Sequence, residues 1–414
     1  MVISMSINKS SIVFIAALTS CFTGLVCAQN LPPYKTQDTN YQAISLENYL
    51  QELNDKNSSI RVKRLNSESA IAIAKQAGMP HLSPLLTYSK GSIYTQQPYI
   101  GYANPASNTF GATVTVEGWG KRSARETYAL AEADRLMAEM VNETRSIETQ
   151  AIFNYIDALR AKLLWQSYQA AIDRLKNINS LEATKTKEDL LSAQKTLNND
   201  LKFFSYGLLN YLGEPHQFLP LPIGTLNVSP QSFDIAKLID KAQDSRSDIA
   251  SNKASIESAS ANLELVQANR NIDIMPGIYY NEMPPYASGG TYYGSQKSVS
   301  FILTVPLGNS FIDNSDVISA SNTLTEQQTN LSATKTKIVT EINQTYLQYE
   351  SAKEHLINAN VGFKRANNQK NSGLSGITKY QEAESELIEA RTVHVKILIL
   401  LERLSGDFAV PILN

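Results

Sequence analysis

The side chains that could catalyse a reaction or bind a metal ion are scattered along this 414-residue chain. A metal site needs several ligands at short, regular spacing or on neighbouring elements. Two adjacent carboxylates, Glu188 and Asp189, lie in a charged stretch of predicted helix, where we expect water to solvate both groups. The histidines fall in four different predicted elements without ligand spacing, and we expect each to be a surface or packing residue: His81, His216, His355 and His394.

Sequence motifs for nucleotide binding or nucleophilic catalysis are absent as well. The sequence has no Gly-rich phosphate loop and no Gly-x-Ser-x-Gly elbow. The segment GLSG, residues 373–376, lies between two predicted helices and therefore indicates a turn. The net charge of −2 gives no reason to expect a nucleic-acid partner. We predict a protein that is not an enzyme and binds no cofactor.

The first 28 residues have the composition of a secretory signal peptide. Lys9 precedes an apolar run that starts at Ile12, and Val26-Cys27-Ala28 is a small-residue cleavage site. A membrane-spanning helix is one alternative, but it would need a longer apolar run without polar interruptions. A second alternative is a lipoprotein, because Leu18-Thr19-Ser20-Cys21 is similar to a lipoprotein box that would place a lipid anchor on Cys21.

Cleavage after Ala28 would remove both cysteines, Cys21 and Cys27, from the exported chain. Such a chain cannot use disulfides and must be held together by packing. Beyond the signal peptide the sequence has no apolar stretch of about 18 residues. Any membrane-embedded part would therefore have to do without spanning helices.

Two stretches predict unusually long helices. Residues 121–180 contain neither proline nor glycine, and residues 311–372 contain no proline and only Gly362. A helix of about 60 residues would be about 90 Å long at about 1.5 Å per residue, far beyond the length of globular helices. Length of this kind indicates a coiled-coil assembly.

Both stretches have rows of residues seven apart, which is the repeat of packed coiled-coil helices. In the second stretch one row is bulky and its companion is mostly small, so that neighbouring helices can interlock. These rows are Ile342, Tyr349, Leu356 and Phe363, beside Ile338, Thr345, Ala352, Ala359 and Ala366. In the first stretch they are Ala151, Ala158, Trp165 and Ile172, beside Ile147, Asn154, Ala161, Tyr168 and Leu175. The helices alone are equally compatible with a solvated coiled-coil rod.

Four shorter segments alternate between apolar and polar residues and predict β-strands: residues 82–94, 109–117, 272–282 and 297–306. Each has roughly the ten residues that cross an outer membrane as a tilted strand. The loops between them, residues 94–108 and 283–296, are rich in tyrosine, which is typical of a membrane interface. An ordinary antiparallel sheet with one buried face is the alternative, but no remaining segment looks suited to cover it.

The chain repeats itself at a distance of about 190 residues. FNYIDALRAKLL around Tyr155 aligns with NQTYLQYESAKEHL around Tyr346, and NYLGE near Gly213 aligns with RLSGD near Gly406. We infer two homologous halves, each with the order helix, strand, loop, strand, long helix, helix. The predicted segments are an N-terminal extension (29–44), a first repeat (45–220), a linker (221–231), a second repeat (232–407) and a C-terminal tail (408–414).

Four strands are too few to close a barrel. Lipid tolerates no open sheet edge, because every backbone group must be hydrogen-bonded there. A membrane-embedded chain of this type must therefore oligomerise. A dimer would supply eight strands, whose barrel is filled by its own side chains, whereas a trimer would supply twelve strands and leave a lumen.

With these features the chain resembles the TolC-like family of outer-membrane efflux proteins over nearly all of its exported length. The resemblance lies in Ser45-Leu46 at the opening of the first half, MPHLSP from Met79 at the entry to the first strand, and TVPLG with Pro306-Leu307 at the exit from the fourth. NSGLSGITKYQEAESEL from Asn371 resembles the turn at the far end of the family's helical hairpin. The family's prolines are missing from NSSI (57–60) and SRSDI (245–249).

The resemblance implies an α+β membrane protein that forms a homotrimer. A twelve-stranded β-barrel, with four strands per chain, would cross the outer membrane, and a long α-helical coiled-coil barrel would continue it into the periplasm. Such a protein would be the passive export duct of a tripartite efflux pump or a type I secretion system, with a periplasmic adaptor protein and an inner-membrane transporter as partners. A non-channel coiled-coil envelope scaffold or adhesin is the alternative interpretation.

By the same resemblance, the far ends of the two helical hairpins would dock the adaptor and form the gate. The predicted docking residues are Ala183, Thr184, Gly373, Leu374, Ser375 and Gly376, and the predicted gate lining is Asn367, Asn368 and Asn371. The two turns differ, because Ala183 stands where the second turn has Gly373. We expect a side chain at Gly373 or Gly376 to crowd the approach of the next helix, and glycine also permits a positive φ there. Closure would rest on packing and on hydrogen bonds of amides such as Asn368 and Asn371 rather than on charge.

Overall fold

A computed structural model describes residues 41–80, 84–92, 95–97, 101–103, 106–176, 178–213, 218–288, 291–306, 313–370, 372–411 and 413. These residues belong to one compact unit, Tyr41–Asn414. The predicted signal peptide with its two cysteines lies outside the described residues, as do most of the predicted extension and the residues His81, His216 and Asn371.

The described residues form eight helices and ten strands, and the same order of long elements occurs twice. The first series is β1 (Tyr41–Ile44), α1 (Leu46–Lys56), α2 (Ser58–Ala77), β2 (Leu85–Ser92), β3 (Thr95–Gln97), β4 (Gly101–Ala103), β5 (Ala106–Thr113), α3 (Lys121–Leu175), α4 (Leu181–Leu212) and β6 (Leu219–Pro222). The second series is α5 (Ile235–Ser245), α6 (Ser247–Ala268), β7 (Met275–Met283), β8 (Tyr286–Ser288), β9 (Thr291–Tyr293), β10 (Gln296–Thr304), α7 (Ser315–Gln369) and α8 (Gly373–Leu404).

The four predicted strands are present and form one antiparallel sheet in the order β10-β7-β5-β2. Their observed bounds differ from the predicted ones by a few residues. The second strand, predicted over residues 109–117, begins at Ala106 because the residues before position 109 continue the pairing with β2. It ends at Thr113 and is followed by one isolated bridge between Val116 and Ile274. The short pairs β3–β4 and β8–β9 lie within the two predicted loops.

The two predicted long helices are confirmed as α3 and α7, each a single helix of 55 residues. At about 1.5 Å per residue, each is about 80 Å long. α3 begins at a left-handed turn at Gly120, with a φ of 82°, and ends short of the predicted boundary at residue 180. It ends early because Ser180 caps the next helix, where its Oγ accepts a hydrogen bond from the Ala183 N–H at 3.1 Å.

Burial along the long helices follows the predicted heptad rows. In α7 every residue of the two rows is buried except Phe363, which is half-buried. In α3 the rows are buried except at Asn154, Trp165 and Tyr168, which are half-buried. The coiled-coil prediction is therefore confirmed within the chain, because one face of each long helix is covered by other helices of the same copy.

The long helices pack side by side as a wall. Near the sheet the order is α2-α3-α6-α7, and in the remote half α4 and α8 replace α2 and α6 to give α4-α3-α8-α7. Short elements pack against the middle of this wall: α1, α5 and the parallel pair of β1 and β6. The wall therefore has two free edges, α7 on one side and α2 with α4 on the other.

Two buried tyrosines connect the wall to the segments packed on its middle. The hydroxyl oxygen of Tyr155 lies 2.8 Å from the carbonyl oxygens of Ile44 and Ile223, and burial raises the pKa of Tyr155 to about 12. The hydroxyl of Tyr349 donates to the carbonyl of Gln231 at 2.9 Å and accepts from its N–H at 2.7 Å. The sequence alignment paired Tyr155 with Tyr346, but Tyr349, about one helical turn further on, makes the equivalent contacts.

The two histidines within the described residues have different environments. His355 is exposed on α7, whereas His394 on α8 is fully buried. The ring of His394 lies 5.5 Å from that of Tyr349, and neither of its nitrogens has a hydrogen-bond partner in the described part of the chain. Burial lowers the pKa of His394, and the charge of Lys353 lowers it further. His394 is therefore a packing residue whose neutral form fits the core.

We expect His394 to make the folded chain less stable in acid. Because its pKa is lower in the folded than in the unfolded chain, the unfolded chain binds the proton first as the pH falls below about 6.5, and the stability present above that pH is lost. His394→Phe keeps a ring against Tyr349 and removes the proton site. The free energy of guanidinium unfolding should therefore fall less between about pH 7.5 and about pH 5 in the variant than in the natural chain. An equal fall in both proteins would contradict this role.

Candidate functional site

One face of the four-stranded sheet is apolar and exposed. The strand register places Leu86, Ala112, Ile278 and Phe301 in one row across the sheet, and Tyr88, Phe110, Tyr280 and Val299 in the next row. Most of the large side chains in these rows are exposed, up to 83% for Phe301. Two adjacent rows of exposed apolar side chains indicate a face that meets lipid or another apolar surface.

The opposite face of the sheet is largely polar. Its rows are Thr87, Gly111, Tyr279 and Ser300, and Ser89, Thr109, Asn281 and Ser298. The Thr109 hydroxyl donates to Asn281 Oδ1 at 2.6 Å. The ring of Tyr279 lies over Gly111, where a Cβ atom would overlap it. One apolar and one polar face at a period of two is the pattern of barrel strands between lipid and water.

The sheet continues directly into the helical wall. Asp273, just before β7, accepts a hydrogen bond from the Gly118 N–H at 2.8 Å and pairs with the Lys121 ammonium at 2.8 Å. Asn271 donates its amide to the carbonyl of Trp119 at 2.6 Å. These contacts fasten the first turn of α3 to the neighbouring strand, so that strand and helix form one continuous support.

Sheet and wall have matching free edges. Each sheet strand is adjacent in sequence to one wall helix, and the sheet order β10-β7-β5-β2 matches the wall order α7-α6-α3-α2. Within the described residues, β10 and β2 are outer strands without a second partner. One edge of the chain is thus formed by β10 and α7, and the other by β2, α2 and α4.

Both helical edges carry exposed apolar side chains on the face that the chain itself does not cover. Helical spacing places these side chains opposite the buried rows of the same helix. They are Ile318, Leu347, Ile357 and Val361 on α7, Leu181, Phe203 and Tyr206 on α4, and Val62, Leu65 and Ile73 on α2. An apolar stripe on each edge indicates that another copy or another protein covers it.

The remote end of the wall has two helical turns. At the first turn, between α3 and α4, Ala183 is 2% exposed and Thr184 is exposed. Leu181, the first residue of α4, is 88% exposed. Leu181 is not among the predicted docking residues, although an apolar residue that directly follows a helix-capping serine and lies outside the heptad rows is a signal for such a position.

At the second turn, between α7 and α8, the two glycines have different roles. A Cβ atom at Gly376 would overlap the carbonyl oxygen of Gln369. A Cβ atom at Gly373 would meet no described atom within 4 Å, but this residue has a φ of 74°, which favours glycine. Of the two expected constraints, crowding therefore applies at Gly376 and positive φ applies at Gly373.

The two turns pack against each other within one chain. Ala171 and Leu175 of α3 form a buried cluster with Ile377 of α8, and Leu374 is half-buried at its side. The Arg174 guanidinium lies over the ring of Tyr380, 4.5 Å from its centroid. The remote end is thus one structural unit rather than two independent turns.

The predicted docking residues and the described gate residues Asn367 and Asn368 are brought to the same end of the wall, but with different exposure; Asn371 lies outside the described residues. Thr184, Gly373 and Ser375 are exposed and available to a partner, Leu374 is half-buried, and Ala183 and Gly376 are buried and can act only through the shape of the turns. Among the predicted gate residues, Asn368 is exposed and Asn367 is half-buried.

We expect Gly376→Val to distort the second turn and impair export while the oligomer still assembles. The overlap with Gln369 should cost about 1–3 kcal/mol locally, as overpacking does, and the turn is remote from the sheet. Gly373→Ala should cost about 1–2 kcal/mol through its positive φ. Limited proteolysis measures distortion of the turn, export from cells measures function, and oligomer yield measures assembly. Ser375→Ala is the control, because Ser375 is exposed. Normal proteolysis and export in Gly376→Val would contradict the importance of this contact.

In the described part of the chain, no group of three or more His, Cys, Asp or Glu side chains is arranged to hold a metal ion. None of the helices that the structure describes is apolar enough over a sufficient length to cross a membrane.

No protein-family model matches this sequence, and no curated protein matches it by sequence similarity. Solved structures match its fold over most of the chain. The outer-membrane channel OprN aligns with a TM-score of 0.65 and 14% identity, covering 87% of this chain and 90% of OprN. VceC, an outer-membrane protein of Vibrio cholerae, aligns with a TM-score of 0.60 and 15% identity, covering 87% of this chain and 96% of VceC.

The open state of the MtrE outer-membrane channel of Neisseria gonorrhoeae aligns with a TM-score of 0.58 and 14% identity, covering 87% of this chain and 88% of MtrE. OprN and MtrE are described as channels rather than enzymes. The resemblance inferred from the sequence is thus confirmed at the level of the fold, which this chain shares with these outer-membrane proteins.

Proposed function

We propose that the chain is the passive export duct of an envelope transport system and works as a homotrimer in the outer membrane. The observation that carries the proposal is the sheet with one exposed apolar face, one polar face and two free edges. In lipid, free strand edges would leave backbone groups without hydrogen-bond partners. Copies of the chain must therefore complete each other's sheet.

The matching order of sheet and wall favours a head-to-tail ring. β10 and α7 of one copy would meet β2, α2 and α4 of the next, and heterologous contacts of this kind close into a cyclic oligomer. Two copies would form an eight-stranded barrel that its own side chains fill, whereas three copies would form a twelve-stranded barrel with a lumen. The polar sheet face would line that lumen, and the apolar face would meet outer-membrane lipid.

In this arrangement the helical wall extends about 80 Å from the membrane into the periplasm. The connecting segments 94–108 and 283–296 would lie on the outside of the cell, because the long connections of such barrels are extracellular. Cleavage after Ala28 would yield the mature chain, while cleavage before Cys21 would add a lipid anchor. The segments 45–220 and 232–407 would be its two repeats.

The remote turns would face the inner membrane and dock the partners. A trimer brings six turns into one ring, in which Leu181, Thr184, Gly373 and Ser375 are exposed for a periplasmic adaptor. Asn367, Asn368 and Asn371 would line the gate. An inner-membrane transporter would supply the energy, either as part of a tripartite efflux pump or as part of a type I secretion system.

Conductance in planar lipid bilayers tests this function against a coiled-coil envelope scaffold or adhesin. Purified protein should be trimeric by native mass spectrometry in detergent, and the trimer fraction should produce discrete conductance steps. The strands and their two-faced register support the duct. Stable trimers that insert into the bilayer without conductance, or a stable monomer or dimer, would refute it.

A further inference from the structure

A cavity of about 370 Å³ lies where α3, the beginning of α6 and the end of α8 meet. It is separate from the sheet faces, the free edges and the remote turns. Three arginines line it together with the first residues of α6 and one aromatic ring: Arg145, Arg246, Arg403, Ser247, Asp248 and Phe408.

Arg403 is buried in this region without a counter-ion. Arg403 is only 6% exposed. Its Nη2 donates to the carbonyl of Ala409 at 3.2 Å, but its buried Nη1 has no hydrogen-bond partner among the described residues. Burial lowers the pKa of Arg403, yet a guanidinium stays protonated in proteins. A buried charge that lacks an ion-pair partner is unfavourable, so the site is incomplete as the chain alone forms it.

Three carboxylates act electrostatically on Arg403, namely Glu148, Asp407 and Glu402, but none forms an ion pair with it among the described residues. Glu148 pairs with Arg145 at 3.0 Å, and Asp407 pairs with Lys241 at 3.0 Å. Burial raises the pKa of Glu402, and the charge of Asp407 raises it further. Within the part of the chain that the structure describes, none of these carboxylates lies within ion-pair distance of Arg403.

The neighbouring cationic groups are held in fixed positions. The guanidinium groups of Arg145 and Arg403 both lie over the ring of Phe408, 4.8 Å and 5.1 Å from its centroid. Arg246 is fixed by two hydrogen bonds to Asp248, at 2.9 Å and 2.6 Å, and by one to the carbonyl of Leu404 at 3.3 Å. A ligand would therefore meet a site whose side chains are already ordered.

The beginning of α6 adds a second attraction for an anion. This helix of 22 residues has Arg246 at its N-cap, which makes no side-chain cap hydrogen bond. Asp248 Oδ1 accepts a hydrogen bond from the Ile249 N–H at 2.9 Å, so that the N–H groups of Ser247 and Asp248 remain to attract an anion. The equivalent helix of the first repeat, α2, is capped by Asn57, whose Oδ1 accepts from the Ile60 N–H at 3.1 Å. Arg403 is likewise the arginine of RLSGD, where NYLGE of the first repeat has Asn210. Arg403 and the uncapped start of α6 thus have no counterpart in the first repeat, whereas Arg145 belongs to α3 of the first repeat.

We propose that this cavity binds a small soluble oxyanion of the phosphate type. Arg403 is the buried ion-pair partner. Arg145 and Arg246 are themselves paired with carboxylates, Arg145 with Glu148 and Arg246 with Asp248 and Glu341, and flank the anion as hydrogen-bond donors. The first turn of α6 presents the N–H groups of Ser247 and Asp248. Arg145 lies about 36 Å along α3 from the end next to the sheet, beyond the reach of membrane lipid headgroups. The bound anion joins α3, α6 and α8 where the wall changes from one helix order to the other, and so it stabilises the wall.

Thermal unfolding of the purified full-length protein in detergent tests the site with inorganic phosphate. The midpoint of unfolding should rise in a saturable way with phosphate and exceed the change in sodium chloride of equal ionic strength. Arg403→Met and Arg145→Met should weaken the apparent affinity at least about tenfold. Arg160→Gln is the matched control, because Arg160 also lies on α3 but pairs with Glu389 at 2.7 Å outside the cavity; its phosphate response should equal that of the natural chain.

The unfolding midpoint of Arg403→Met without phosphate is a second readout. Arg403→Met should raise the midpoint in the absence of phosphate, since it removes a buried charge without a counter-ion. If Arg403→Met fails to assemble, the phosphate response of Arg145→Met tests the proposal instead, because Arg145 is only half-buried. A phosphate response no larger than that of sodium chloride, or one retained in the assembled arginine variants, would overturn the proposal. None of these measurements depends on export, so their outcome is independent of the proposed duct.

Discussion

Arginine in place of Phe301 should prevent the sheet from inserting into a membrane, whereas arginine at the adjacent Ser300 should not. Phe301 lies in the middle of β10 on the apolar face, where it is 83% exposed. A charge on the lipid side of a barrel near the bilayer midplane costs about 2–4 kcal/mol. A trimer would introduce that charge three times into one barrel, which makes this a large effect for a single substitution.

Ser300 is the matched control because it precedes Phe301 and lies on the polar face, opposite Tyr279 in the register. Both variants introduce the same side chain into the same strand, so that the net charge changes equally. Folding into phospholipid vesicles, followed as a function of urea concentration, gives the free energy of insertion for each variant. An equal or larger loss for Ser300→Arg would mean that the apolar face is not the lipid face.

Aspartate in place of Leu347 should abolish the trimer and with it all conductance. Leu347 is 70% exposed on α7, in the apolar stripe opposite the buried heptad rows. If a second copy covers this stripe, burial of a leucine contributes about 1.5–3 kcal/mol, and a buried unpaired carboxylate costs more than the leucine gained. The effect would occur at each interface of the ring, so assembly should fail while each chain keeps its own helices.

The next residue again provides a control, because Gln348 is exposed outside the apolar stripe. Gln348→Asp should form trimers as the natural chain does. Phe203→Asp on α4, at the opposite edge of the wall, should fail in the same way as Leu347→Asp if the two edges meet in the ring. Native mass spectrometry measures the oligomer, and circular dichroism measures the helix content. Trimers of normal stability with Leu347→Asp would place the interface elsewhere.

The long helices, their buried rows and the two-faced strands could all be predicted from the sequence, but their exact ends could not. The two long helices follow from a local property, the absence of proline and near-absence of glycine over about 60 residues. The buried rows of α7, such as Ile342 and Tyr349, follow from a seven-residue period that no other structure satisfies. The strands follow from a two-residue period, which also separates Phe301 from Ser300. Helix and strand ends moved by a few residues, because caps such as Ser180 compete locally with the preceding helix.

The remote turns show where sequence reasoning is only partly sufficient. It located them between the long helices and gave Gly373 and Gly376 the same two constraints, crowding and positive φ, without separating them. Only the packed structure separates a left-handed backbone at Gly373 from a close approach to Gln369 at Gly376. It also exposes Leu181 and buries Ala183, because exposure depends on the neighbouring helix rather than on residue type.

The sequence by itself determined the periodic features of this protein: the long helices, the two-faced strands and the repetition of both. These depend on interactions within a few residues or on a regular pattern along one element. The tertiary structure decided the order of helices in the wall, the match between its edges and those of the sheet, the burial of His394, and the convergence of Arg145, Arg246 and Arg403. Some of these neighbours are far apart in sequence, such as Arg145 and Arg403 at one cavity, and no local period encodes which side chains become neighbours when the helices pack.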